Sequence, residues 1–477
     1  MRSKRNLGVL TVIMVLFIAF PLLLSHADHC AAKTGDLIDG LLQLTISDFR
    51  VESGRYSPPA PLEQYDFQLN YSRGLHNYDQ DMYNEATECF THALQCLPAH
   101  FESRLALAKI QLKNDSIVQA LLICDSLIRE KPNDYRGWLW KAEALYDSGL
   151  YEPSIAYADS ALVHRGGEDV RLSSRKAFAY SKLNNESLAI ICGKQAVATD
   201  SLSPLAWHTL GCIYLNNSSD SMAVACYDMV IALENDSTHL WYEFFNRGLA
   251  NQYIEHYDAA IEDFIASLSY YGESGDTWGE LAYSYRLIDD YTSALECYDS
   301  AFKYDNINWY GRGYCYYELG NYEKALDCMR RYVKEYPTSH FALDIIAWSL
   351  VKTGAYEQGL IYFDSSLAAD TTYYEAIFGR AYAEGELKRY NSAVATYDRY
   401  LSFVPDDPNG WFNRGNELWH ARKKMSALDS YDSCLVYDNT YANAWLNKGR
   451  LLRELRRYNE ANTCLDSARH YGADMDE

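Results

Sequence analysis

The chain has 477 residues, 48% apolar and 23% charged, the proportions of a folded protein and not of a disordered one. Lys and Arg number 43 against 65 Asp and Glu, a net charge of −22; residues 28–477 alone hold 40 basic and 65 acidic residues, a net of −25. A body that acidic repels phosphate backbones, so nucleic acid is not an expected partner.

In chain order, Arg2, Lys4 and Arg5 precede an uncharged apolar run, residues 7–24, and then Ser25-His26-Ala27. This basic, apolar, small order predicts a secretory signal peptide over residues 1–27. The run of 18 residues also just reaches a membrane span, so an uncleaved N-terminal anchor is the alternative, with Pro21 favouring the signal. Both place the body outside the cytoplasm: periplasmic or otherwise extracytoplasmic, secreted or held to the membrane by its N-terminal segment. Residues 28–66 are expected to be a tether, stiffened by Pro58, Pro59 and Pro61.

From Phe67 the sequence repeats with a period of 34 residues, twelve times, through residue 475. Taking a mostly bulky residue as position 4 of each unit, the anchors are Asn70, Arg104, Trp138, Ser173, Trp207, Phe244, Trp278, Trp309, Leu343, Ile377, Trp411 and Trp445. Position 8 is always small (Gly74, Ala108, Gly211, Gly313 and Gly449 among them), and position 20 is Ala in ten units, Ser154 in one and Gly359 in another. Such small residues are what two helices need where they cross at close approach. Each unit is therefore expected to be a helix, a tight turn and an antiparallel second helix. Gly149, Gly320 and Gly354 serve three of the turns.

These residues resemble the tetratricopeptide-repeat family, whose pattern is W-x2-[LG]-G-x2-Y followed by Ala, an aromatic, Ala and Pro. The unit from Pro204 to Asn235 carries it most fully, with Trp207, Leu210, Gly211, Tyr214, Ala223 and Tyr227 in register. Arg104 and Ser173 depart most from it. The resemblance implies an all-α fold, a right-handed superhelical solenoid of antiparallel helix pairs whose first helices line a concave groove. Stability in such an array is set between nearest neighbours.

Nothing in the sequence carries a reaction. There is no glycine-rich phosphate loop, paired-His helix motif or Ser elbow, and residues 28–66 are too short for an added catalytic domain. A non-enzymatic protein with no cofactor and no metal is expected. Six of the twelve cysteines (Cys89, Cys192, Cys226, Cys297, Cys328, Cys464) share one position of the second helix, read as small buried core thiols. Asp-Ser recurs nearby, as Asp125-Ser126, Asp159-Ser160, Asp299-Ser300, Asp364-Ser365, Asp432-Ser433 and Asp466-Ser467. It is read as a polar outer face, with a glycosylation acceptor pattern as the alternative.

The resemblance places positions 2, 5, 9 and 12 of each first helix in the groove. Of these 48 residues, 16 are aromatic, whereas aromatics make up 14% of the chain. Position 9, usually polar in the family, is Tyr283, Tyr314, Trp348 and Tyr382 in four successive units. With Phe341 and Phe378 these form an expected aromatic row, and Tyr310 and Tyr317 join them as candidate partner-binding residues. The same 48 positions hold six basic and five acidic residues, so the groove is nearly neutral and suited to an apolar or aromatic-rich segment. The expected function is a protein–protein interaction scaffold binding an extended protein or peptide segment. The alternative is a glycan-binding protein using the same rings, with Asp344 and Asn416 as the polar candidates beside them.

Overall fold

The computed structural model describes residues 61–234 and 240–474, and every regular element among them is an α-helix, 24 in all. The segment read as a signal peptide or anchor, residues 1–27, and the tether up to residue 60 lie outside the described residues. Among the described residues no helix is long and apolar enough to cross a membrane.

The chain divides into one compact unit ending at Ser103 and another beginning at Arg104. The first holds the helix pair Pro61–Asp79 and Tyr83–Cys96. Its opening helix starts at Pro61, six residues inside the stretch expected to be a tether. Proline favours the first helical position, where its missing N–H costs nothing, so Pro61 begins this helix instead of holding the chain extended. Gly74 lies under the buried ring of Phe90, only 2.8 Å from where a Cβ would sit.

The second unit repeats that pair with small variations. Helices Pro204–Asn216 and Asp220–Leu233 form the unit whose sequence is most regular. Where successive anchors are 31 residues apart, the second helix Tyr291–Phe302 and the following first helix Trp309–Glu318 shorten to 12 and 10 residues. From Tyr135–Asp147 onward, each first helix touches its own second helix and also the first helix of the next pair. The first helices thus form a continuous row.

Packing shows what the small residue at position 8 makes room for. It is the side chain at position 24 of the same pair, and not only a backbone crossing. Tyr227, Phe264, Tyr298, Phe363, Tyr397 and Tyr431 occupy that position and are fully buried. A Cβ on Gly248 would stand 2.7 Å from the Phe264 ring, and one on Gly415 would stand 2.7 Å from Tyr431. The anchor tryptophans do a second job. The Nε1–H groups of Trp138, Trp207, Trp411 and Trp445 each donate to a carbonyl six residues back, at 2.8 Å, tying the inter-repeat turn to the helix that follows.

The turn within each pair places its residue at position 15 at positive φ. Gly149, Gly320 and Gly354 fill three of these sites; the other nine are non-glycine, including Glu255 (φ 63°), Lys388 (φ 60°) and Arg422 (φ 64°). Glycine is therefore not what defines the turn. The neighbouring helices hold each residue there against a local cost.

All eleven cysteines of the described residues are free, and eight are buried. Burial pushes the thiols of Cys124, Cys297, Cys315 and Cys434 up to about 12, as apolar core side chains require. The Asp-Ser pairs have a structural use. Asp125, Asp159, Asp299, Asp364 and Asp432 each pair with a Lys or Arg at position 7 of the next unit: Lys141, Lys176, Arg312, Arg380 and Lys448. Asp466 occupies the same position in the last unit and turns to Arg469 of its own helix, 2.8 Å away.

Candidate binding groove

The groove face is built by the row of first helices. Three candidate rings stand open on it: Phe341 is 51% exposed, and Tyr283 and Tyr382 are each 36% exposed. Tyr314 and Trp348 are half-buried between them. Trp348 and Tyr382, at position 9 of adjacent units, lie 5.9 Å apart between centroids, and Phe341 meets Tyr373 edge-on at 5.3 Å. Arg286 links the other two, with its guanidinium 4.8 Å from the Tyr283 ring and 5.1 Å from the Tyr314 ring. Such cation–π contacts order both rings.

Other candidates turn inward. Phe378 packs edge-on against Tyr397 at 5.6 Å and Tyr400 at 5.1 Å, both buried. Tyr310 rests on Tyr332 at 5.4 Å, and Tyr317 on Tyr322 at 5.8 Å. Trp348 is divided, one edge meeting the buried Phe363 at 5.6 Å while its other flank remains on the groove. These four rings serve as much to join helices as to face the groove.

Charge is placed unevenly along the row. Asp344, one helical turn before Trp348, is only 7% exposed, and its Oδ1 has no hydrogen-bond partner. Its Oδ2 receives a long hydrogen bond, 3.5 Å, from the Tyr373 hydroxyl. Burial and the neighbouring Glu375 carboxylate push Asp344 up to about 7. Glu375 Oε2 is likewise buried and unpartnered. Two carboxylate oxygens without donors, close to Tyr373 and through it to the exposed Phe341 ring, favour a cationic or hydrogen-bond-donating ligand group at this point of the row. Asn416, the other polar candidate, is already engaged: its Oδ1 accepts from the Tyr431 hydroxyl at 2.8 Å and from Asn447 Nδ2 at 2.9 Å. Sequence reasoning counted Asp344, Glu375 and Arg286 among the groove charges but did not foresee that Tyr373 and Glu375 close on Asp344, or that Arg286 lies over Tyr283 and Tyr314, because helix packing, and no local pattern, brings them together.

A row of consecutive helix pairs, each resting on the next, is a helix-pair repeat scaffold. The 34-residue period, the small residues at positions 8 and 20, and the turns anchored by tryptophan are those of a tetratricopeptide-repeat array. Residues 289–366 match the family described as anaphase-promoting complex, cyclosome, subunit 3. A TPR repeat-containing protein of Methanocaldococcus jannaschii, MJ1428, is 23% identical over 277 residues, which span 57% of this chain and 43% of that relative's length. Among solved structures, the anaphase-promoting-complex hetero-tetramer Cut9–Hcn1 aligns at 13% identity over 87% of this chain and 94% of its own, with a TM-score of 0.41. A tetratricopeptide-repeat protein from Parabacteroides merdae aligns at 13% identity over 50% of this chain and 93% of its own, with a TM-score of 0.39.

Proposed function

We propose that this protein is an exported or membrane-anchored scaffold that binds an extended polypeptide segment along its row of first helices. The observation that carries the reading is the open aromatic set Tyr283, Phe341 and Tyr382, presented by non-adjacent and adjacent repeats on one face. Solvent-exposed rings held in place by neighbours are inexpensive anchors, since little side-chain entropy remains to be lost on binding. The segment that suits them carries aromatic or long apolar side chains at intervals and a Lys or Arg to meet Asp344 and Glu375. Export rests on the basic, apolar, small order of residues 1–27.

A glycan using the same rings is the second reading, supported by tyrosine faces standing beside free carboxylate oxygens. Sugar hydroxyls also need fixed amides, and Asn416 has its acceptor oxygen occupied. The peptide reading is therefore preferred. Probing the purified body against a random peptide array and a glycan array decides between them. Peptide signals lost on changing Tyr283, Phe341 and Tyr382 together to Ser support the scaffold; signals confined to glycans overturn it. Protease protection in intact cells expressing the full chain tests export, and protection of the body in spheroplasts with an opened outer layer would refute it.

A further inference from the structure

His208 and Cys212 lie one turn apart on the first helix Pro204–Asn216, at positions 5 and 9 of their unit, on the row that forms the groove face. Neither belongs to the aromatic set. His208 Nε2 is 3.4 Å from Cys212 Sγ. Its other nitrogen, Nδ1, is 2.9 Å from Glu243 Oε1 and 3.1 Å from Oε2, on the first helix of the next unit, Leu240–Tyr253. The Tyr227 hydroxyl, from the second helix Asp220–Leu233, donates to the same sulfur at 3.4 Å. Glu243 is 8% exposed and Tyr227 fully buried, whereas Cys212 is half-buried. Cys212 therefore differs from the core thiols: it is reachable, and it is the only cysteine among the described residues for which a hydrogen bond to a histidine is recorded.

We propose that Cys212 is a modification site: a nucleophilic thiol that His208 deprotonates, with Glu243 orienting the imidazole, and that reacts with small hydroperoxides reaching the groove. The roles follow from donor and acceptor count. Ionised Glu243 only accepts, so the proton on His208 Nδ1 is fixed towards it and Nε2 is left to face the sulfur. Nε2 takes the thiol proton, and the resulting thiolate then accepts from two donors, the imidazolium Nε2–H and the Tyr227 hydroxyl. A nucleophile, a base within reach and a third group orienting the base form the arrangement that activates cysteines generally. Contacts with Cys212 and Glu243 outweigh burial and raise His208 to about 10, which favours the imidazolium. Burial pushes the Tyr227 hydroxyl well above its usual range, so it remains a donor. Tyr242, whose ring is 5.8 Å from His208, also faces the imidazole.

In the step itself the thiolate attacks the distal peroxide oxygen. The S–O bond forms, the O–O bond breaks, and the leaving alkoxide takes the proton from His208. Sulfur is oxidised by two electrons to the sulfenic acid and the hydroperoxide is reduced to an alcohol, or to water when the oxidant is hydrogen peroxide. The event is stoichiometric, and its product places a polar, bulkier group on the groove row.

The test uses the full chain, with iodoacetamide as the probe of nucleophilicity and each cysteine followed by peptide mass mapping across pH 5 to 9. Cys212 should alkylate at least about tenfold faster at pH 6.5 than Cys89 and Cys96, the other two half-buried thiols, because only the thiolate reacts. Glu243→Gln and His208→Gln should remove that advantage and move the midpoint of the pH profile to that of an ordinary thiol, near ~8.5. Circular dichroism melts confirm that each variant is folded, and Glu243→Gln, the milder change, suffices if His208→Gln is not. Hydrogen peroxide followed by dimedone should label Cys212 selectively. A rate at Cys212 no greater than at Cys89 and Cys96, or a profile unmoved in Glu243→Gln, overturns the activated thiol. Fast alkylation without a dimedone adduct overturns the hydroperoxide assignment.

Discussion

Arg380 Nε and Asp364 Oδ1, from two consecutive helix pairs, stand 2.8 Å apart, and the same guanidinium reaches Glu384 on its own helix at 3.0 Å. The two contacts differ in kind. Asp364 is exposed, while Glu384 is only 3% exposed and also accepts from Ser392 and Thr396, each at 2.7 Å. Arg380 is thus a rung between repeats and the counter-charge of a buried carboxylate.

Substitution should separate those roles. Asp364→Asn removes an exposed ion pair and should cost about 0.5 kcal/mol, less at high salt. Arg380→Met strands Glu384 with hydroxyl donors alone and should cost about 3 kcal/mol. Urea unfolding of the two variants at low and high salt measures both. Equal losses would show that Glu384 does not depend on Arg380.

The left-handed turn residues give a prediction of opposite sign. Arg422 sits at φ 64° and Glu255 at φ 63°, where a Cβ is strained. Arg422→Gly and Glu255→Gly should each stabilise the array by up to about 1 kcal/mol, because relief of the strain exceeds the added freedom of the unfolded chain. Thermal melts of single and double variants check this, with additivity expected because the two turns share no contacts.

Much of this architecture was legible in the sequence, for a physical reason. A solenoid repeats one packing problem, so Gly211, Gly248 and Gly415 announce themselves by recurring at the same place above a buried ring. The start at Pro61 was hidden because a proline cluster reads equally as a stiff tether or as the first turn of a helix. The groove was only half legible. Position 5 borders both the open face and the pair interface, and Phe378 was drawn inward by Tyr397 and Tyr400, which a positional rule does not see. His208 and Cys212 are visible as a spacing of four, but Glu243 comes from the next repeat and acquires meaning only once the helices are side by side.

Acidity supplies another test. Asp344 is pushed up to about 7 by burial and by Glu375, and Glu417 to about 7 by burial and by Glu386. An unfolded aspartate titrates near ~3.9 and a glutamate near ~4.3, so the native state binds the proton more tightly. The penalty for ionising these groups is fully present above about pH 7 and is relieved as pH falls towards the unfolded values. Asp344→Asn, which mimics the protonated form, should therefore stabilise the protein by about 2 to 4 kcal/mol at pH 8 and scarcely at all at pH 4. Denaturant unfolding at the two pH values measures the difference. A variant that is destabilised at pH 8 would mean that the ionised carboxylate has a partner in the native protein.

The aromatic row yields the prediction that bears most directly on function, because its members divide into open and packed rings. Tyr283→Ser, Phe341→Ser and Tyr382→Ser remove rings that are at least 36% exposed, so each should cost little stability. If the row is a binding platform, the triple variant should lose capture of array-selected peptides, with anchors of this type contributing about 2 kcal/mol or more each. Trp348→Ser is different, since its ring packs edge-on against the buried Phe363 at 5.6 Å. That change should lower stability by about 2 to 4 kcal/mol whether or not a partner is bound. Melting curves and peptide affinities measured on both variants separate the roles. Peptide binding unimpaired in a folded triple variant would move the platform elsewhere on the molecule, whereas binding lost there at near-native stability would assign it to the three open rings.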